Sequence, residues 1–170
     1  MERRNGFKMG EDELTLLGTK QEVGMKAPDF DVVDMNLKKV TLADFDGKIK
    51  IFSAVPSLDT PVCEMQTMQF NAEVGKLGDQ VALMTISMDL PFAQARFCSS
   101  HQVENGIICS DYQQHSFATN YGCLINELKL CNRSIFVVDR DNKLIYVEYV
   151  EQNTNLPNLE AALEAVKKAL

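Results

Sequence analysis

The stretch Ile49–Cys63, IKIFSAVPSLDTPVC, holds the features that decide the fold. Its first part, Ile49–Val55, is a continuous β-prone run, which is typical of an inner strand covered on both faces. A short loop follows. Thr60 and Pro61 then predict the start of a helix, because Thr is favoured at the N-cap and Pro at the first helical position. The stretch therefore predicts a strand–loop–helix unit with Cys63 in the first turn of the helix.

The predicted helix runs over Pro61–Leu77, and Gly78 lies just past its end. Apolar and small residues recur at steps of three and four, which marks one buried face: Cys63, Thr67, Phe70, Val74 and Leu77. Met65 and Met68 belong to a second, weaker stripe. We expect this stripe to pack against the core or against a partner subunit.

Outside this unit, strands and helices alternate. Strands are predicted at 7–9, 14–17, 30–35, 39–42, 81–87, 107–109, 134–139 and 143–150. Thr41 can also cap a single turn over Leu42–Phe45, which Gly47 stops. Helices are predicted at 91–99, 117–121 and 158–170. This order favours an α/β fold with a central sheet flanked by helices. The sheet should be mixed, because the last two strands form an antiparallel hairpin.

The chain has 170 residues, which predicts one domain over 1–170 with an N-terminal hairpin extension at 1–20. Its net charge of −7 makes nucleic acid or an anionic membrane a poor main partner. No apolar run is long enough for a transmembrane helix. The N-terminal MERRNGFKMG lacks the apolar stretch of a secretory signal. We therefore expect a cytoplasmic protein.

Five cysteines are present, and an odd number cannot all pair within one chain. Without an export signal, a disulfide framework is not expected, and the thiols should be mostly reduced. The positions are Cys63, Cys98, Cys109, Cys123 and Cys131. The question is which of them does chemistry.

Cys63 occupies the third helical position, where backbone N–H groups lack helical partners and the helix dipole favours an anion. Such a position favours the thiolate, which is the nucleophilic form of cysteine. The same N–H groups can bind a small polar oxygen substrate beside the sulfur. An isolated cysteine on a buried face is more often a core residue. Here the helix N-cap, the end of the preceding strand and the thiol lie close together in the sequence, which favours a catalytic role for Cys63.

The motif Pro56-x-x-x-Thr60-x-x-Cys63 resembles the active-site motif of the peroxiredoxins. The longer string PSLDTPVC is similar to the thiol peroxidase branch, the bacterial atypical two-cysteine peroxiredoxins. The resemblance continues in DLPFAQARFC, which ends at Cys98, and in RSIFVV, which begins at Arg133. It implies a thioredoxin-like fold with an added N-terminal β-hairpin. It also implies a peroxidase that reduces hydrogen peroxide and organic hydroperoxides in antioxidant defence.

The resemblance assigns a role to each matching residue. Cys63 would be the peroxidatic cysteine, and Cys98 would be the resolving cysteine that closes an intramolecular disulfide with it. Thr60 would hydrogen-bond the thiolate and the peroxide through its hydroxyl. Pro56 would shield the sulfur from water. Arg133 would stabilise the thiolate and orient the peroxide. Cys109, Cys123 and Cys131 match no motif and are expected to be structural thiols.

The same resemblance implies that thioredoxin reduces the disulfide and that the protein forms a homodimer. It requires no metal, haem or flavin. Cys63 and Cys98 lie on different predicted helices, and a disulfide needs Cα atoms within about 7 Å. We therefore predict that the first turn after Thr60 and part of the helix carrying Cys98 unwind when the disulfide forms.

Three alternative functions were compared with this interpretation. A peroxide sensor that passes its disulfide to a partner would use the same cysteines. A thioredoxin-type oxidoreductase would need C-x-x-C, which is absent. A zinc site could begin with Cys98-x-x-His101, but no second close pair of ligands follows it.

Overall fold

The computed structural model describes all 170 residues. The ten strands are β1 (Arg3–Met9), β2 (Asp12–Leu17), β3 (Val32–Asp34), β4 (Lys39–Val40), β5 (Ile49–Ala54), β6 (Val81–Ser87), β7 (Ile107–Ser110), β8 (Leu124–Ile125), β9 (Ser134–Val138) and β10 (Leu144–Tyr149). The four α-helices are α1 (Pro61–Val74), α2 (Pro91–His101), α3 (Ser116–Asn120) and α4 (Leu159–Ala169). A short 3-10 helix spans Leu42–Phe45. No helix has the length and apolar character needed to cross a bilayer.

Seven strands form the central sheet in the order β10-β9-β5-β6-β7-β3-β4. Strands β5, β6 and β7 are parallel to one another, while β9 is antiparallel to β5 and β3 is antiparallel to β7. The predicted mixed sheet with flanking helices is therefore confirmed. The arrangement follows from the helical crossovers that link β5 to β6 and β6 to β7, because parallel neighbours need such long connections.

Strand β5 is buried on both faces, as its continuous β-prone sequence predicts. Ile49 and Ile51 join a cluster that includes Phe70 of α1 and Val166 of α4. Phe52, on the opposite face, joins the larger cluster under α3. The alternation of side chains along the strand thus places β5 at the centre of two cores.

Topology brings the end of β5 next to the start of β9. The two strands are antiparallel, and Ala54 pairs with Ser134. Arg133, the residue before Ser134, therefore lies at the sheet edge from which the chain passes into α1. The fold thus places Arg133 beside the end of β5, next to the loop and helix that carry Cys63.

The N-terminal hairpin is present, with longer strands and a tighter turn than predicted. It forms a separate three-stranded sheet with β8, whose two residues Leu124 and Ile125 pair with Leu17 and Leu16. Sequence patterning missed β8 because two residues carry no periodicity. The hairpin is therefore attached to the rest of the fold through a strand that only tertiary contacts reveal.

Helix α1 ends at Val74, three residues before the predicted end. Beyond it the backbone makes turns of the 3-10 type, from Lys76 N to Glu73 O and from Leu77 N to Val74 O. Gly78 adopts a positive φ of 77°, as expected where a chain leaves a helix. The apolar stripe continues through Leu77 into these turns, and the periodicity therefore predicted a helix longer than the observed one.

Phe52 is the centre of the aromatic core, with edge-to-face partners at centroid distances of 5.4 Å (Phe30) and 5.8 Å (Phe117). We expect Phe52→Ala to lower the free energy of unfolding by about 3–5 kcal/mol, because it removes buried contacts and leaves a cavity. Phe92, which is 68% exposed, is the matched control, and its change to Ala should cost less than about 0.5 kcal/mol. Chemical denaturation measures both, and equal losses would contradict this account of the core.

Candidate active site

The structure places Cys63 in the first turn of α1, as predicted. Thr60 is the N-cap, with extended backbone angles of −110° and 145°, and Pro61 occupies the first turn. The Cys63 side chain is fully buried in a small apolar cluster with Val55, Leu58, Phe97 and Ile108. The sulfur thus lies at a helix N-terminus and out of bulk water.

Arg133 reaches this sulfur from the neighbouring strand. Its Nη2 lies 3.3 Å from Cys63 Sγ, and the whole residue is only 2% exposed. Its other donors bind neutral oxygens: Nη1 binds Gln66 Oε1 at 2.8 Å, and Nε and Nη2 bind the Asn153 main-chain oxygen at 3.0 and 2.8 Å. The guanidinium makes no ion pair with a carboxylate.

A buried guanidinium is costly unless hydrogen bonds and an opposite charge accompany it. Among the atoms that Arg133 contacts, only the Cys63 sulfur can become an anion. The positive charge and the helix N-terminus both favour the thiolate. The site therefore has the electrostatics of a reactive cysteine.

Gln66 holds Arg133 from the same helix that carries Cys63. Its Nε2 donates to Ser53 Oγ at 2.7 Å, which fixes the amide so that Oε1 faces Arg133. The sequence reasoning did not select Gln66. A signal was available, because a glutamine three residues after Cys63 falls on the buried face of an amphipathic helix, where a polar side chain needs a partner.

The two other predicted residues of the loop are placed differently. Pro56 is buried two residues after the end of β5. Thr60 is exposed, and its hydroxyl donates to the Ser57 main-chain oxygen at 3.1 Å. Its side chain neither caps α1 nor hydrogen-bonds the Cys63 sulfur. The structure therefore brings Cys63 and Arg133 together, while the Thr60 hydroxyl binds the main chain of its own loop.

Asp89 fixes the loop in front of Cys63 from the end of the next strand. Its carboxylate accepts hydrogen bonds from Ser57 Oγ at 2.7 Å, from Leu58 N at 2.8 Å and from Ser87 Oγ at 2.7 Å. The sequence reasoning quoted Asp89 only as part of a motif. Its contacts with the loop depend on the parallel pairing of β5 and β6, which local sequence does not show.

Cys98 lies on α2, half-buried, and packs against the same apolar cluster that contains Cys63. Both thiols are free, and both helices are intact. Burial raises the pKa of the Cys98 thiol, so this residue stays protonated at neutral pH. The two cysteines therefore differ in electrostatic environment although they share one cluster.

One polar contact joins the two helices near these thiols. Glu64, the residue after Cys63, places Oε1 3.1 Å from His101 Nε2 at the end of α2. The other ring nitrogen of His101, Nδ1, lies 3.0 Å from the Phe97 main-chain oxygen. The rings of Phe97 and His101 stack with their centroids 4.2 Å apart. This contact fastens the end of α2 to the first turn of α1.

The three remaining cysteines lie in the main core. Burial raises the pKa of Cys109 to about 12. Cys131 has a pKa raised well above its usual range, first by its hydrogen bond with the Cys123 side chain and then by burial. These fully buried residues match the expected structural thiols. Nowhere in the chain do three or more His, Cys, Asp or Glu side chains converge on a possible metal position.

The sequence profile of the Redoxin family matches residues 22–163. A thiol peroxidase from Listeria innocua is 47% identical over 156 residues, covering 92% of this chain and 94% of that protein. One from Streptococcus pneumoniae is 48% identical over 154 residues, covering 91% and 94%. A crystal structure of a peroxiredoxin-like protein from Aquifex aeolicus superposes with a TM-score of 0.91 at 32% identity, over 100% of both chains.

Arg133→Gln tests the electrostatic role of the guanidinium. We expect it to lower the ratio of thiolate to thiol at Cys63 by about tenfold or more at neutral pH, because a positive charge within a few ångströms is lost. The ultraviolet absorbance of the thiolate measures this ratio, with Cys63→Ser as the blank. Arg140→Gln is the control, since Arg140 binds Ala169 O and Gln80 Oε1 away from the site. A thiolate signal unchanged by Arg133→Gln would contradict the role.

Proposed function

Because this chain belongs to the Redoxin family and is a thiol-dependent peroxidase, we propose that Cys63 is the cysteine that attacks the peroxide. The observation that carries the proposal is the 3.3 Å contact between Cys63 Sγ and a buried guanidinium. No other cysteine of the chain has a basic hydrogen-bond partner.

In the proposed first step, the Cys63 thiolate attacks one peroxide oxygen. A sulfur–oxygen bond forms, the oxygen–oxygen bond breaks, and the leaving oxygen takes a proton and departs as water or an alcohol. The sulfur is oxidised to a sulfenic acid and the peroxide is reduced. Arg133 and the free N–H groups of the first turn of α1 face the charge that moves from sulfur to oxygen, which supports their role in stabilising it.

Pro56 and Thr60 complete the proposed site. Pro56 is buried and would keep water from the sulfur. The Thr60 hydroxyl would turn from Ser57 O to the peroxide when substrate enters, which needs only a rotation of its side chain. A hydroxyl suits this task because it can donate and accept at the same time.

The second step would form the Cys63–Cys98 disulfide. The Cys98 thiol gives up its proton and its sulfur attacks the sulfenic sulfur, so that a sulfur–sulfur bond forms and the sulfur–oxygen bond breaks. The departing hydroxide takes up the proton and leaves as water. Both residues lie within intact helices, and we expect the first turn of α1 and part of α2 to unwind when the disulfide forms. A thioredoxin dithiol would then reduce the disulfide, which suits a reducing compartment such as the cytoplasm.

A homodimer would use the exposed methionine stripe of α1. Met65 is 49% exposed. Together with Pro61, Met68 and Ala72 it lines a shallow groove on the outer face of the helix. Methionine adapts its shape to irregular surfaces, which suits contact with a second subunit.

Serine substitutions test the two cysteine roles. We expect Cys63→Ser to abolish peroxide consumption, because serine supplies no thiolate. Cys98→Ser should still form a sulfenic acid but lose turnover with thioredoxin and its reductase. Coupled turnover and mass spectrometry of the oxidised proteins measure these outcomes, and Cys109→Ser is the matched control that should keep full turnover.

Full activity in Cys63→Ser would contradict the assignment of the peroxidatic cysteine. Full thioredoxin-linked turnover in Cys98→Ser would contradict only the resolving role. A wild-type protein that reacts once with peroxide and is not recycled would instead favour a peroxide sensor.

Removing the Glu64–His101 contact should speed the second step. We expect His101→Gln to raise the rate of disulfide formation by about twofold to fivefold, because the contact is partly exposed and such pairs are weak. Stopped-flow measurement after a single peroxide addition separates this step from sulfenic acid formation, which should be unchanged. His115→Gln is the control, and a slower second step in His101→Gln would argue against helix unwinding.

A further inference from the structure

Asn153, in the loop after β10, binds Arg133 at three points. Its Oδ1 accepts from Arg133 N at 2.7 Å. Its main-chain oxygen accepts from Arg133 Nε at 3.0 Å and from Nη2 at 2.8 Å. The Nη2 atom that binds Asn153 is also the atom that lies 3.3 Å from Cys63 Sγ. Asn153 therefore constrains both the main chain of Arg133 and the guanidinium that reaches the sulfur.

The Asn153 amide has no unused hydrogen-bonding group. Its Nδ2 donates to Asn132 Oδ1 at 2.6 Å and to the Lys8 main-chain oxygen at 3.2 Å. Its own N–H also donates to Lys8 O, at 2.8 Å. The residue is 2% exposed, so water cannot replace these bonds. The N-terminal hairpin thus holds Asn153 through Lys8, and Asn153 holds Arg133.

An asparagine fits this position better than its near relatives. The site needs one acceptor directed at Arg133 N and two donors directed at Lys8 O and Asn132 Oδ1. An ionised aspartate would offer no donor and would place a negative charge near the guanidinium. An alanine would leave the buried Arg133 N–H and the buried Asn132 Oδ1 without a partner.

We propose that Asn153 is a positioning residue for the peroxidase reaction, which holds the Arg133 guanidinium in the orientation that meets the Cys63 sulfur. The proposal rests on the proposed function of Cys63 as the attacking residue. It gives the N-terminal hairpin a part in the reaction, because the hairpin anchors Asn153 from outside the central sheet. Neither Asn153 nor the hairpin touches the reacting atoms.

The test compares Asn153→Ala and Asn153→Asp with wild type over a range of pH. Both variants keep the main-chain oxygen that binds the guanidinium but lose the Nδ2 hydrogen bonds that hold this oxygen in place. We expect the second-order rate of the reaction with hydrogen peroxide at neutral pH to fall by about tenfold in both, because a displaced guanidinium stabilises the thiolate less. We also expect the pH profile of this rate and the thiolate absorbance of Cys63 to move toward higher pH. A residue that only supports the fold would move neither curve.

Gln152→Ala is the matched control. Gln152 binds the same hairpin, with Gly10 N to Gln152 Oε1 and Gln152 Nε2 to Gly10 O both at 2.9 Å, but it does not bind Arg133. Its pH profile should coincide with that of wild type. Circular dichroism confirms that each variant is folded.

Folded Asn153 variants with wild-type pH profiles would overturn the positioning role, as would a Gln152→Ala profile displaced by the same amount. Loss of folding in both Asn153 variants would count against it too, because it would mark the residue as structural. An active Cys63→Ser would instead overturn the proposed function. The two failures are therefore distinguishable.

Discussion

The buried contact between the Arg133 guanidinium and the Cys63 sulfur is the constraint on which the site depends. A charge that is 2% exposed, with no carboxylate beside it, needs a compensating partner. Removing one member of a buried charged pair typically costs about 3–5 kcal/mol, because the other member is left uncompensated. The thiolate is the state of Cys63 that supplies the missing charge. The fold thus places the one hydrogen-bond partner of Arg133 that can carry a negative charge directly against the buried guanidinium.

The fold supplies this contact through strand order. Strand β5 leads into α1 and so fixes Cys63, while β9 runs antiparallel beside β5 and so starts where β5 ends. Ser53 of β5 then orients Gln66, and the loop after β10 supplies Asn153. The partners of Arg133 come from two segments that are distant from it in the sequence, helix α1 with Cys63 and Gln66 and the loop with Asn153. The guanidinium is therefore held by the tertiary structure as a whole, which explains how a long, flexible side chain keeps one orientation.

Local sequence was sufficient for the parts of the site that are local. Strand β5, the N-cap of α1 and the place of Cys63 in the first helical turn follow from propensity, capping and spacing within fifteen residues. Arg133 could be named only by resemblance to a family, since seventy residues separate it from Cys63. Asn153 carries no local signal at all, because its meaning comes from the hairpin on one side and Arg133 on the other. The hydrogen bond of the Thr60 hydroxyl to Ser57 O was also not predicted, since a threonine at an N-cap has several possible hydrogen-bond partners of similar energy within reach.

The five cysteines show how one fold separates reactive from inert thiols. Burial is the main cause that raises the pKa of Cys98 and of Cys109, and the pKa of Cys131 is raised first by its hydrogen bond with Cys123 and then by burial. Cys63 is as buried as any of them, so burial cannot be what distinguishes it. The difference is the positive charge beside its sulfur and the helix N-terminus beneath it. In the proposed reaction this difference directs oxidation to Cys63 first, and Cys98 would become its partner only after the two helices have loosened. Selectivity among chemically identical side chains thus comes from where the fold places a single guanidinium.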